Sequence, residues 1–306
     1  MVNSSAVIFM KKRLYGSFLL LVGTFIWGTA FVAQSVGMDY IEPFTFQAVR
    51  SLIGVTALFP IIWLMDLRRD GGKTFKAKWM DKHLWKTGLW CGIALFIASG
   101  LQQVGLVYTD AGKAGFITAM YIVLVPVLGL LFRQKVTPLV WLSVVLAVVG
   151  LYLLSAAGVS AVNFGDLLLM GCAAAFAVQI TLVDRMAQNL DGLRLNFVQF
   201  FVNAVISTVV MFLFESPVLE NILACLVPLL YTGVMSSGIA YSLQIIGQQH
   251  LEPAPASLIM SLESVIAALS GWALLGERMT APELCGCGLV FLGVILSQMP
   301  DKKNPS

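Results

Sequence analysis

The chain has 306 residues, 58% of them hydrophobic and only 11% charged, with a formal net charge of +3. Its mean hydropathy is +0.88. A soluble domain carries about a quarter of its residues as charges, so this composition cannot build a water-facing surface and predicts an integral membrane protein.

A span takes about 20 mostly apolar residues to cross roughly 30 Å of hydrocarbon. Lipid offers backbone N–H and C=O groups no partner, so such spans must be helices. Ten are predicted in chain order, at residues 14–36, 43–65, 86–106, 112–132, 138–156, 166–187, 195–214, 224–247, 253–275 and 281–299. Pro43, Pro138, Pro253 and Pro282 fall at or near helix starts, where a missing N–H costs nothing. The first span follows Lys11-Lys12-Arg13, but it is too long for a signal-peptide core and lacks a small-x-small cleavage site. With ten spans, both termini share one face. Sixteen of the 19 Lys and Arg residues fall on that face, two on the other, and Arg50 within a span. Positive residues stay inside, which predicts cytoplasmic termini and a multi-pass protein of the cell membrane. The one long loop, residues 66–85, carries six of these basic residues, with Lys86 directly after it, and reads as a solvated anchor against an anionic leaflet. The basic residues thus report topology, and no nucleic-acid partner is expected.

The second half repeats the first. Gln102 aligns with Gln244, Gly105 with Gly247 and Ala114 with Ala256, all at an offset of 142 residues. After a one-residue gap, Gln134-Lys135-Val136-Thr137 aligns with Glu277-Arg278-Met279-Thr280, and Gly150 with Gly293. The units are residues 14–156 and 166–299, five spans each. An odd number of spans inserts the second unit upside down. The expected fold is therefore all-α, with ten transmembrane helices as two inverted-topology repeats. Secondary transporters commonly have this plan, with the substrate site near the midplane between the halves.

The run Phe25–Val32 (FIWGTAFV), the Pro43…Arg50 spacing, and Ala254–Thr280 (APASLIMSLESVIAALSGWALLGERMT) resemble the EamA domains of the drug/metabolite transporter superfamily. The likeness covers residues 14 to 298. It implies a ten-helix permease, usually an exporter of small polar metabolites such as amino acids or their derivatives. Where that family usually has Glu-Pro-Val, this chain has Glu263-Ser264-Val265, so no proline kink is expected there.

Ionisable groups inside a membrane are costly and mark function or a buried pair. Glu263 lies ten residues into the ninth span, about 15 Å deep. Arg50 lies seven residues into the second, about 10 Å deep. Either Glu263 takes a substrate ammonium or a coupling proton while Arg50 takes a carboxylate, or the two pair with each other, or with carbonyls and waters, and merely hold helices together. Tyr121 is the repeat equivalent of Glu263 and reaches the same depth from the opposite side. Gln102 and Gln244 form a second symmetric pair. Thr24, Trp27, Gln179, Asn203 and Tyr241 complete the candidate cavity, although interhelical hydrogen bonding is the alternative use for each. Trp63, Trp79 and Trp85 sit near span ends as an interfacial belt. Gly88, Gly92, Gly150, Gly286 and Gly293 suit either close helix packing or a homodimer contact.

The five cysteines lie in apolar segments as packing residues. His83 and His250 stand apart without zinc-type spacing, so neither metal nor cofactor is expected. No G-x-x-x-x-G-K-[ST] is present, which excludes hydrolysis-driven pumping by this chain. The expected function is alternating-access transport of a small molecule. The alternatives are a non-alternating channel or scaffold, and a membrane enzyme acting on lipid, for which no catalytic cluster is evident.

Overall fold

The computed structural model describes residues 4–68, 78–109, 111–134, 136–155, 163–275 and 279–299. All regular structure among them is helical. Residues 69–77 of the basic loop, Lys135, Glu277 and Arg278 of the repeated loop, residue 156, and Lys302 and Lys303 lie outside the described residues. In chain order the helices are α1 (Ser4–Gly37), α2 (Pro43–Arg68), α3 (Lys82–Gly105), α4 (Ala111–Leu131), α5 (Pro138–Ser155), α6 (Phe164–Met186) and α7 (Gly192–Phe214). There follow α8 (Leu226–Gln248), α9 (Pro253–Met260 with Leu262–Leu275) and α10 (Ala281–Ser297). Eight are long and apolar enough to cross a membrane. α5 and α10 are the shorter apolar helices, so they fall short of the length expected from sequence.

Local chemistry sets the ends. Asn163 and Asp166 form a reciprocal capping box at the start of α6, Thr280 and Glu283 another at α10, and Asp191 caps α7. These side chains satisfy orphan N–H groups that lipid could not. α1 begins ten residues before its expected apolar limit, so Lys11-Lys12-Arg13 extend the helix instead of preceding it. Arg13 donates to Ser297 O at 3.0 Å, which brings the start of α1 and the end of α10 to one face, called here the terminal face.

Three helices depart from uniform winding. α4 and α9 are each interrupted by one tighter turn: Met120 N bonds Ile117 O, and Ser264 N bonds Ser261 O, both i to i−3. The interruptions fall at Met120 and Ser261, beside the repeat-related Tyr121 and Glu263. α9 thus breaks without proline. Ser264, standing where the related family has proline, instead donates its hydroxyl to Gly115 O of α4 at 2.9 Å. α8 is π-helical over Tyr231–Ala240, where Tyr241 N reaches back to Ser236 O. The wider turn tilts carbonyls off the ladder, and Asn196 Nδ2 of α7 takes those of Ser237 and Gly238 at 2.9 and 3.0 Å.

Repeat-equivalent helices pack antiparallel. Along α2 and α7, Glu215 meets Thr45, Asn203 meets Gln47 and Ser51, and Arg194 meets Asp66. Along α5 and α10, Gly150 approaches Gly286, and Gly293 approaches Ser143. Other contacts occur as exchanged pairs: α3 with α6 and α8 with α1, α3 with α7 and α8 with α2, α4 with α6 and α9 with α1. The glycines resolve into intramolecular crossings. A Cβ on Gly150 would sit 2.7 Å from Gly286 O, and one on Gly88 would strike Val198 of α7.

Candidate functional site

One buried cavity lies where α1, α2, α3, α4, α6, α8 and α9 converge. Trp27, Phe31 and Gln34 form its α1 wall, spaced i, i+4, i+7 on one helical face. Its free volume is about 40 Å³, room for roughly three waters. The space is thus narrow, and polar and aromatic side chains share its walls.

Charge is distributed unevenly around it. Arg50 is only 4% exposed and makes one hydrogen bond, from Nη1 to Gln34 Oε1 at 2.8 Å; its Nε has no partner. Glu263, 6% exposed, accepts from Tyr121 Oη at 3.1 Å through Oε1. Among the described residues no ion pair joins Arg50 to Glu263, so the alternative that the two hold each other is not what the structure contains. A buried cation and a buried carboxyl instead face one space separately. Trp27 Nε1 and Gln244 Oε1, on residues that also line the space, lack partners as well. Buried polar atoms are nearly always paired, so three partnerless atoms on residues that line one space, Arg50 Nε, Trp27 Nε1 and Gln244 Oε1, leave polar capacity unused there. The Trp27 ring is held edge-on to Tyr241 at 4.8 Å, and Tyr241 in turn to Phe200 at 5.1 Å.

Seven candidates from the sequence line this cavity: Arg50, Glu263, Tyr121, Gln102, Gln244, Trp27 and Tyr241. Three do not. Thr24 turns its hydroxyl back to Leu20 O at 2.7 Å within its own helix. Asn203 bonds Gln47 and Ser51 between α7 and α2. Gln179 stands behind the wall in a chain of buried amides: Gln244 Nε2 donates to Gln179 Oε1 at 3.1 Å, Gln179 Nε2 to Gln199 at 3.4 Å, and Gln199 Nε2 to Asn196 at 2.8 Å. Gln34, Phe31, Phe176, Ile180, Ser236 and Met260 line the cavity without having been singled out. Gln34 had a readable signal, as a polar residue two turns along the Trp27 face.

The sequence model of the EamA-like transporter family matches residues 14–156 and again residues 163–299. A protein of Archaeoglobus fulgidus described as an uncharacterized transporter is 32% identical over 286 residues, covering 93% of this chain and 86% of that protein. The uncharacterized transporter YoaV of Bacillus subtilis is 22% identical, covering 90% of this chain and 93% of its own length. One solved crystal structure superposes with a TM-score of 0.73 at 16% identity, over 92% of this chain and 96% of the other. At that identity the likeness concerns fold alone.

Proposed function

The chain belongs to the EamA-like transporter family, and from that premise we propose that it is a secondary transporter exchanging small zwitterionic metabolites, such as amino acids or their derivatives, by alternating access. The observation that carries this reading is that Arg50 and Glu263 line one cavity with no ion pair between them. A free carboxylate fits the spare N–H of Arg50 and of Trp27, with bidentate geometry available to the guanidinium. An ammonium fits Glu263 and the spare Oε1 of Gln244. Ten membrane helices arranged as two inverted repeats, residues 14–156 and 166–299, with both termini cytoplasmic, complete the reading. Antiparallel packing of equivalent helices and the count of basic residues support it. Export is the direction that the family resemblance suggests.

A thermal-shift screen of the purified protein against amino acids and related metabolites tests the cargo class, and counterflow in proteoliposomes tests the mechanism. Trapped unlabelled ligand is expected to accelerate uptake of the labelled form, as it does for a carrier and not for a channel. Uptake indifferent to trapped ligand would point to a non-alternating pore.

A further inference from the structure

The central cavity ends in a matched feature at each face. Gln102 and Gln244 line it, and one turn beyond each lies a glycine, Gly105 on α3 and Gly247 on α8. Gly247 is crossed by Gly16 of α1: a Cβ on Gly16 would lie 2.8 Å from Gly247 O and 2.9 Å from His250 Cβ, and one on Gly247 would lie 2.9 Å from Leu20 Cγ. Gly105 is crossed by Gly165 of α6: a Cβ on Gly165 would lie 2.9 Å from Gly105 O and 2.7 Å from Tyr108 Cβ, and one on Gly105 would lie 2.8 Å from Leu169 Cγ. Residue by residue the two crossings are the same object. Tyr108 and His250 are related by the repeat, and the ring of each meets, tilted or edge-on, the ring of the residue just before the crossing glycine. The Tyr15–His250 and Phe164–Tyr108 ring centroids are both 5.6 Å apart.

The copies differ in charge. At the face away from the chain ends, Asp166 accepts Lys113 Nζ at 2.7 Å and Thr109 Oγ1 at 3.3 Å, tying the start of α4 to the start of α6. The corresponding places at the terminal face hold Ser17, Pro255 and Leu251, with no charge. Resting on the transport reading above, we propose that the two glycine crossings are the twin gates of the cavity, one per face, and that the Lys113–Asp166 pair biases the resting protein toward closure at the face away from the chain ends. Contact between bare backbones closes a gate tightly with few side chains to rearrange. At the terminal face the ion pairs of Asp66 with Lys78 and Arg194 tie α2 to α7 and leave the glycine crossing itself uncharged, so Lys113–Asp166 distinguishes the two crossings.

The test uses Ser236→Cys as a reporter inside the cavity, with Cys285→Ala removing the exposed native thiol, and a membrane-impermeant maleimide applied from one face at a time. Gly247→Leu cannot close the terminal-face gate, so labelling from that face is expected to rise. Gly105→Leu is expected to raise labelling from the opposite face only. Lys113→Gln leaves both crossings intact but removes a charge-assisted bond, so labelling from the Lys113 face is expected to rise about tenfold. Unchanged labelling in Lys113→Gln overturns the bias even if the leucine variants fail to fold. Leucine variants that fold and gain access from the wrong face, or from both, overturn the gates. No cargo is needed, so absent counterflow in a protein whose labelling follows this pattern rejects the transport reading and leaves the paired closures standing.

Discussion

On the proposed reading, Arg50 and Glu263 define the chemistry of the cavity, since no ion pair joins them. An arginine that is 4% exposed with a single amide partner is an expensive group to keep in a membrane, and a guest carboxylate is what its free N–H groups fit. Arg50→Gln is therefore expected to weaken binding of an amino acid ligand by about tenfold to a hundredfold, read as a loss of thermal shift. The matching amine without a carboxylate should bind wild type weakly and not notice the substitution. Equal losses for both ligands would mean that Arg50 only supports the fold. Glu263→Gln keeps the acceptor for Tyr121 Oη while removing the group able to carry a proton. Flux is expected to become independent of pH, and transport with its pH dependence unchanged would take Glu263 out of the mechanism. Both residues were legible in the sequence as charges inside spans. Thr24 lies one turn before Trp27 on α1, yet its hydroxyl is spent on Leu20 O. Periodicity reports the direction of a side chain, not its hydrogen bond.

At the scale of helices, the site is built by interruptions. Single tight turns at Met120 and Ser261 re-aim Tyr121 and Glu263 toward each other, and mid-helix tightening of this kind often marks a hinge. No proline stands at either place, so these breaks were not readable in the sequence; they accompany contacts between α4 and α9 such as Ser264 to Gly115. The π-helical stretch of α8 was equally hidden, since it depends on Asn196 reaching from α7. Behind that stretch the amides of Gln179, Gln199 and Asn196 satisfy one another in full burial. Gln179→Leu would leave Gln199 Oε1 without its donor and one N–H of Gln244 without an acceptor, at a cost of about 1–3 kcal/mol, and is expected to lower the melting temperature in detergent clearly. Thr24→Val removes only an intrahelical bond and should change it little. Comparable melting of Gln179→Leu and wild type would show that the chain can be broken without penalty.

Across the whole molecule, the helices divide by task. Every helix that lines the cavity belongs to the set α1, α2, α3, α4, α6, α8 and α9. α5 and α10 line none of it, yet they meet along bare backbone at Gly150, Gly286 and Gly293. The repeat alignment made Gly150 and Gly293 legible as equivalents, but sequence left open whether they served packing within one chain or between two. The structure uses them within one chain, where α5 and α10 pack antiparallel, and on the transport reading this pair is a static post. A Cβ on Gly150 already comes within 2.7 Å of backbone oxygen and 2.8 Å of Val290, so a larger side chain must push the two helices apart. Gly150→Leu is expected to cost about 1–3 kcal/mol through overpacking, seen as a lower melting temperature. Ligand affinity per folded molecule should remain that of wild type, since the cavity walls are untouched. If affinity collapses while the variant stays folded, the post is coupled to the cavity, and the division between a static pair and a moving set of helices is wrong.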